Sequence, residues 1–150
     1  MRKAQLKKKI LSVLRGQKLI CLATLANKKP WVRLVVSHNN GLTLYVASYT
    51  SSRKIKEIQK NPAVHVVVAK DLSSMRTAYV QIAGCAKIRT DRLVRQKYWH
   101  PYMSKYYRGI DDPEYVLIEI TPEYIEYWDS EFTDPEIFTP QKPWVRQRVA

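Results

Sequence analysis

Acidic residues are almost missing from the first 60 positions, where Glu57 stands alone against 14 lysines and arginines. Cysteine is nearly absent as well. Cys21 and Cys85 are far apart, sit in apolar strand-like contexts and form no CxxC or Cys/His pattern. That spacing excludes a disulfide framework or a thiolate metal site, and both are read as reduced, buried core residues. There is no apolar run long enough to cross a bilayer. The start at Met1-Arg2-Lys3 leads into Lys7-Lys8-Lys9 rather than a signal-peptide core, so the expectation is a soluble, cytoplasmic chain with no membrane partner. His38, His65 and His100 are isolated, and neither a nucleophile triad nor paired carboxylates nor metal-ligand spacing appears. No catalytic residue and no metal ligand is assigned, and each histidine is read as structural.

The charge that is present is unevenly spread. Residues 1–60 carry a net +13, residues 61–100 a net +5, and residues 101–150 hold ten acids against five bases. A basic body with an acidic C-terminal third favours anionic ligands and permits non-specific nucleic-acid binding. At 150 residues one domain spanning 1–150 is expected, with a hydrophobic core that needs no staples.

Hydrophobic periodicity divides the chain into short elements. Leu6, Ile10, Val13 and Leu14 form a helical stripe within 1–16, with Gly16 as the stop. Lys18 to Ala26, Trp31 to His38 and a run ending at Ser48 read as three antiparallel strands, joined by turns at Asn27-Lys28-Lys29-Pro30 and Asn39-Asn40-Gly41. A short helix follows, closed by Asn61-Pro62. A strand around Val64, Val66 and Val68 precedes one over Ala78 to Ile88, in which Gly84 suggests a bulge or close backbone approach. Asp91 opens an aromatic-rich helical region that ends at Asp111-Asp112-Pro113. A sixth strand covers Val116 to Ile120, Thr121-Pro122 interrupts, and Ile125 to Trp128 forms a short last strand. The tail over 133–150 shows no periodicity. Mainly β, with six or seven antiparallel strands and only short helices, this pattern predicts a small barrel, because closure removes exposed sheet edges.

Ser51-Ser52-Arg53-Lys54 carries the strongest functional signal. It opens the second helix with two cations, at the end where the backbone dipole is already positive. Each misplaced charge costs roughly 0.3–1 kcal/mol there. Free backbone donors, hydroxyls, Arg and Lys together can form a cradle for an anion such as phosphate, with Ser51 or Ser52 available as cap; the alternative reading of the same segment is a solvated basic helix start.

Pro30-Trp31-Val32-Arg33, Leu44-Tyr45-Val46-Ala47-Ser48, Ser52-Arg53-Lys54 and Asn61-Pro62-Ala63-Val64, in that order, resemble the flavin-binding split β-barrel family related to pyridoxamine 5′-phosphate oxidase. Tyr79 to Gly84 and Pro122 to Trp128 extend the match, which covers roughly residues 17–128 and is nearest the general-stress branch. The resemblance implies a split barrel and a homodimer with FMN at the subunit interface. Arg33 matches the family's strand arginine, with Leu34 and Val35 beside it. Ser48 matches the hydroxyl at the following strand end, and Ser52, Arg53 and Lys54 the phosphate-binding segment. Trp128 matches a tryptophan that contacts flavin, and Tyr79 falls where the oxidase has a flavin-contacting glutamine. Two departures argue against the oxidase's own reaction. Asp129-Ser130-Glu131-Phe132-Thr133-Asp134 replaces an Arg-Leu-His segment that grips substrate, and His38 replaces a substrate-contacting lysine. The expected activity is a flavin-dependent oxidoreduction on an unidentified small molecule. A basic nucleic-acid-binding module is the competing class, although no specific nucleic-acid motif is present. Within the barrel class, haem or a deazaflavin could replace FMN.

Overall fold

Along most strands every second residue is apolar and buried, which is what a sheet with one face on a core requires. The computed structural model describes residues 2–130 and 134–140. Helix α1, Lys3–Gly16, buries Leu6, Ile10, Val13 and Leu14 on one face. The strands are β1, Leu19–Ala26; β2, Lys29–Asn40; β3, Thr43–Tyr49; β4, Ala63–Ala69; β5, Tyr79–Arg89; β6, Tyr115–Trp128; and β7, Glu136–Phe138. Helix α2, Arg53–Lys60, lies between β3 and β4, and helix α3, Arg92–Lys97, with a 3-10 turn at Pro101–Lys105, lies between β5 and β6.

The sheet order β3-β2-β1-β4-β5-β6-β7 closes on itself through an additional β3–β6 pairing. The result is a six-stranded antiparallel barrel with β7 added outside β6, and the split β-barrel expectation holds. Antiparallel register fixes which residues share a face. Leu22, Val66, Ile82 and Ile125 lie side by side across four strands and are fully buried. On the opposite face the row runs Leu34, Cys21, Val67, Gln81, Glu126.

Four expectations need correction. Thr121-Pro122 does not end a strand: β6 runs unbroken through it. Pro122 falls where one flank of β6 passes from pairing with β3 to pairing with β7, so its missing N–H removes no ladder bond on that side. The irregularity is accommodated by a register shift at Ala83/Gly84, where a Cβ on Gly84 would stand 2.7 Å from the Thr121 carbonyl oxygen. Part of the expected irregular tail is ordered as β7, and the rest of 133–150 beyond residue 140, with residue 133, lies outside the described residues. Cys21 and Cys85 are unpaired as read, but half-buried rather than core. The β1–β2 turn is also tighter than expected: Asn27 and Lys28 both take positive φ (50° and 66°), the two-residue hairpin geometry that matches strand twist.

The aromatic-rich segment builds a second, smaller core on the outside of the barrel. Tyr98, Met103 and Tyr107 pack on Tyr45, Tyr115 and Leu117 of β3 and β6. Stacking of Tyr45 on Tyr98 at 3.7 Å anchors it. No helix among the described residues is long and apolar enough to cross a membrane.

Candidate functional site

Strand β2 turns Arg33 toward the barrel side, beside Leu22 of the core row. Arg33 is placed by a dense set of bonds. One guanidinium nitrogen, Nη1, donates to the Leu22 carbonyl at 3.3 Å and to Thr24 Oγ1 at 2.8 Å, and the other, Nη2, reaches Glu57 Oε1 at 3.1 Å. Arg53, at the start of α2, donates from Nε to the same carboxylate oxygen at 3.3 Å, and Thr24 donates to Glu57 Oε2 at 3.4 Å. The lone acid of the first 60 residues is therefore the group on which the two arginines converge.

Magnitudes show why Glu57 belongs to Arg33 rather than to its own helix. An exposed i,i+4 pair contributes about 0.3–0.5 kcal/mol, and Arg before Glu is the weaker order. Burying a carboxylate costs several kcal/mol, and Glu57 is only 6% exposed. A few tenths of a kcal/mol cannot offset that cost. The second cation from β2 and the Thr24 hydroxyl, itself 2% exposed, supply the remainder.

The first turn of α2 is otherwise short of partners. Ser52 occupies the N-cap position, yet makes no side-chain cap; its hydroxyl pairs with that of Ser48 at 2.7 Å. Ser51 does not cap either, and donates to Glu114 at 3.3 Å. The capping expectation is corrected accordingly: the hydroxyls are spent on each other and on a neighbouring loop. Arg53 stacks over Trp31 at 4.1 Å, a cation–π contact that holds the guanidinium at the mouth of the cluster. The Lys54 ammonium is half-buried and has no hydrogen-bond acceptor among the described residues. Burial and the neighbouring Arg33 push its pKa down, and Glu57 offsets this only in part. Burial likewise lowers Arg33, with Glu57 opposing and Arg53 adding to the shift. Three cations around one carboxylate leave a net +2. A phosphate monoester carries about −1.5 to −2 at pH 7 and three acceptor oxygens, so this donor set fits one.

The other expected site residues lie elsewhere. Val35 is half-buried against the main core, while Leu34 faces outward and is 61% exposed. Tyr79 and Trp128 are cross-strand neighbours with parallel rings 5.8 Å apart. The indole N–H of Trp128 donates to Glu126 Oε2 at 3.3 Å, and Tyr124 donates to the other oxygen at 3.2 Å. Both belong to the outward rows shared with Leu34, on the opposite face of the sheet from Arg33. The structure thus brings together Arg33, Ser48, Ser52, Arg53 and Lys54 as two adjoining groups at α2, and holds Leu34, Tyr79 and Trp128 apart from them. His38 is not isolated, as expected, but stacked on His100 at 3.5 Å, with Nε2 3.1 Å from the Tyr102 hydroxyl. Burial, His100 and Lys18 push its pKa down to about 4. The acidic segment expected in place of a substrate-gripping one falls partly on residues 131–133, which lie outside the described residues.

Thr24, Glu57 and Trp31 escaped assignment to the site. Glu57 had a readable signal, as an acid four residues after Arg53 with no other acid within reach. Thr24 and Trp31 had none, since both depend on the register of β1 against β2.

The pyridoxamine 5′-phosphate oxidase family model matches residues 6–129. General stress protein 26 of Bacillus subtilis is 36% identical over 125 residues, covering 83% of this chain and 89% of the relative. The crystal structure of General Stress Protein 26 from Bacillus anthracis superposes with a TM-score of 0.78 at 32% identity, covering 90% of this chain and 98% of the other. A related protein from Clostridium acetobutylicum gives 0.79 at 21% identity over 93% and 97%, a likeness of fold. With the closed barrel, these likenesses place the chain in the pyridoxamine 5′-phosphate oxidase family, in its general stress protein 26 branch.

Proposed function

We propose that this protein binds FMN as a homodimer and serves as a flavin-dependent oxidoreductase acting on a small molecule. The observation that carries the reading is the half-buried Lys54 ammonium beside Arg33 and Arg53, a cluster short of negative charge by the amount a phosphate monoester brings. Arg33, Arg53 and Lys54 hold the phosphate, and the Ser52 hydroxyl adds a donor by giving up its pairing with Ser48. Binding of FMN is typical of the family. When bound, FMN supplies the redox chemistry, and the protein supplies binding, orientation and access.

The separation of the two residue groups supports a dimer. Phosphate ligands lie on the barrel side at α2, whereas Tyr79 and Trp128 lie on the outer face. One flavin meets both sets when one protomer provides the cradle and its partner the aromatic pair. The outer face suits such a contact: Leu19, Val32, Leu34 and Val36 are exposed apolar neighbours on β1 and β2. Exposed apolar patches of this kind mark association surfaces.

The test is the visible spectrum of protein purified without added cofactor, followed by titration with FMN and with riboflavin. Bound FMN and a strong preference for it over riboflavin are expected. A colourless protein that takes up neither, or a gel shift with nucleic acid at physiological salt and no flavin binding, refutes the reading.

A further inference from the structure

Glu57 would not itself touch a bound phosphate, yet it accepts three hydrogen bonds at the cradle, as many as Arg33 donates. Its Oε1 accepts from Arg33 and Arg53, its Oε2 accepts from Thr24, and it is almost completely buried. A buried acid within a site built to take an anion opposes the ligand electrostatically. Its presence there calls for a compensating function.

Two terms compete. Without Glu57, the guanidinium groups of Arg33 and Arg53 would repel each other and Lys54 across a partly desolvated space. With Glu57, they are held in one arrangement before any ligand arrives, so ordering costs are met in advance. The same charge reduces the pull on an incoming anion from +3 to +2. Glu57 therefore trades raw affinity for a pre-formed cradle of limited charge.

We propose that Glu57 is a resident counter-anion and positioning residue, which holds Arg33 and Arg53 for a phosphate monoester and sets the net charge of the site. The inference rests on the phosphate assignment above, but its test uses inorganic phosphate and does not require that flavin be the ligand.

Glu57→Gln preserves shape and keeps an acceptor oxygen while removing the charge. The melting temperature of the ligand-free variant should fall in phosphate-free buffer. Inorganic phosphate should then bind about tenfold more tightly than to wild type, adding about 1.4 kcal/mol of stabilisation at saturation, whereas sodium chloride of equal ionic strength should not. Arg53→Gln combined with Glu57→Gln returns the net charge to +2 and should recover the melting temperature, while the tighter phosphate binding of Glu57→Gln is lost along with one of the phosphate's donors. Should Glu57→Gln fail to fold in any buffer, the double variant decides: recovery supports the role, and failure to recover overturns it. Phosphate binding that is unchanged or weaker in Glu57→Gln, or lost stability that phosphate does not restore, also overturns it. FMN titration of wild type separates the two readings. If FMN does not bind but the phosphate effects hold, the flavin assignment falls and the role of Glu57 stands. If FMN binds and Glu57→Gln responds to phosphate as wild type does, the reverse applies.

Discussion

Replacing Lys54 by methionine should move stability and ligand affinity in opposite directions. The ammonium is half-buried, has no acceptor among the described residues, and is held below its ordinary pKa by burial and by Arg33. Methionine keeps most of the apolar stem and deletes the charge, so the ligand-free protein should lose nothing and gain up to about 0.5 kcal/mol, the scale of a change that breaks no bond. The FMN complex should lose a charge-assisted hydrogen bond to the phosphate. Such a bond contributes about 1.5–3 kcal/mol, which is a ten- to hundredfold weaker Kd. Riboflavin lacks the phosphate and should bind the variant as it binds wild type. Fluorescence titrations with both flavins, together with melting curves of the ligand-free protein, provide the measurement. An unchanged FMN affinity refutes the assignment of Lys54, and an equal loss for riboflavin shows that the side chain acts on the ring or the fold. Lys8→Ala, on the exposed side of α1, is the control for diffuse charge and should leave FMN affinity nearly intact.

Arg33→Ala should weaken FMN to a comparable degree and should also destabilise the ligand-free protein, because it leaves Glu57 buried with Arg53 as its remaining ion-pair partner; equal melting temperatures would contradict this network. Leu34→Glu places a charge on the exposed apolar face without touching the cradle, and should give a monomer by sedimentation with impaired FMN binding; an intact flavin-loaded dimer would remove that face from the interface. Gly84→Ala drives a Cβ to 2.7 Å from the Thr121 carbonyl oxygen and should cost about 1–3 kcal/mol in a denaturant titration, with an unperturbed midpoint counting against the close approach. His38 should make the protein less stable in mild acid. Its folded pKa is near 4 against 6.5 ordinarily, so as pH falls from 6.5 toward 4 the unfolded chain takes up a proton the folded one refuses, and stability is lost across that window. His38→Phe should flatten this dependence in urea midpoints at pH 7 and pH 5, and an unaltered slope would show that the stacked imidazoles do not govern it.

Much of the barrel is written in local periodicity. Alternation in β1 to β5, the stripe of α1 and the turn residues at Asn27 and Gly41 each draw on interactions within a few positions, which is why these elements are legible. Pro122 misled because a proline ends a strand only where its missing N–H would have been paired, and that depends on which strand lies alongside. The few residues of β7 follow the same logic, since Glu136–Phe138 acquires its form from β6 rather than from its own propensity.

For the site, the sequence by itself determined which cations open α2: two of them at a helix start are anomalous against the backbone dipole whatever surrounds them, and local electrostatics alone makes Arg53 and Lys54 candidates for an anion. Only the tertiary structure decided what completes the cradle and what stands apart from it. Arg33, Thr24 and Glu57 meet because β1 and β2 pair in one register and α2 packs on β1, while the alternation of side chains along each strand sends Leu34, Tyr79 and Trp128 to the other face. Register joins residues distant in the chain, and no local pattern encodes it.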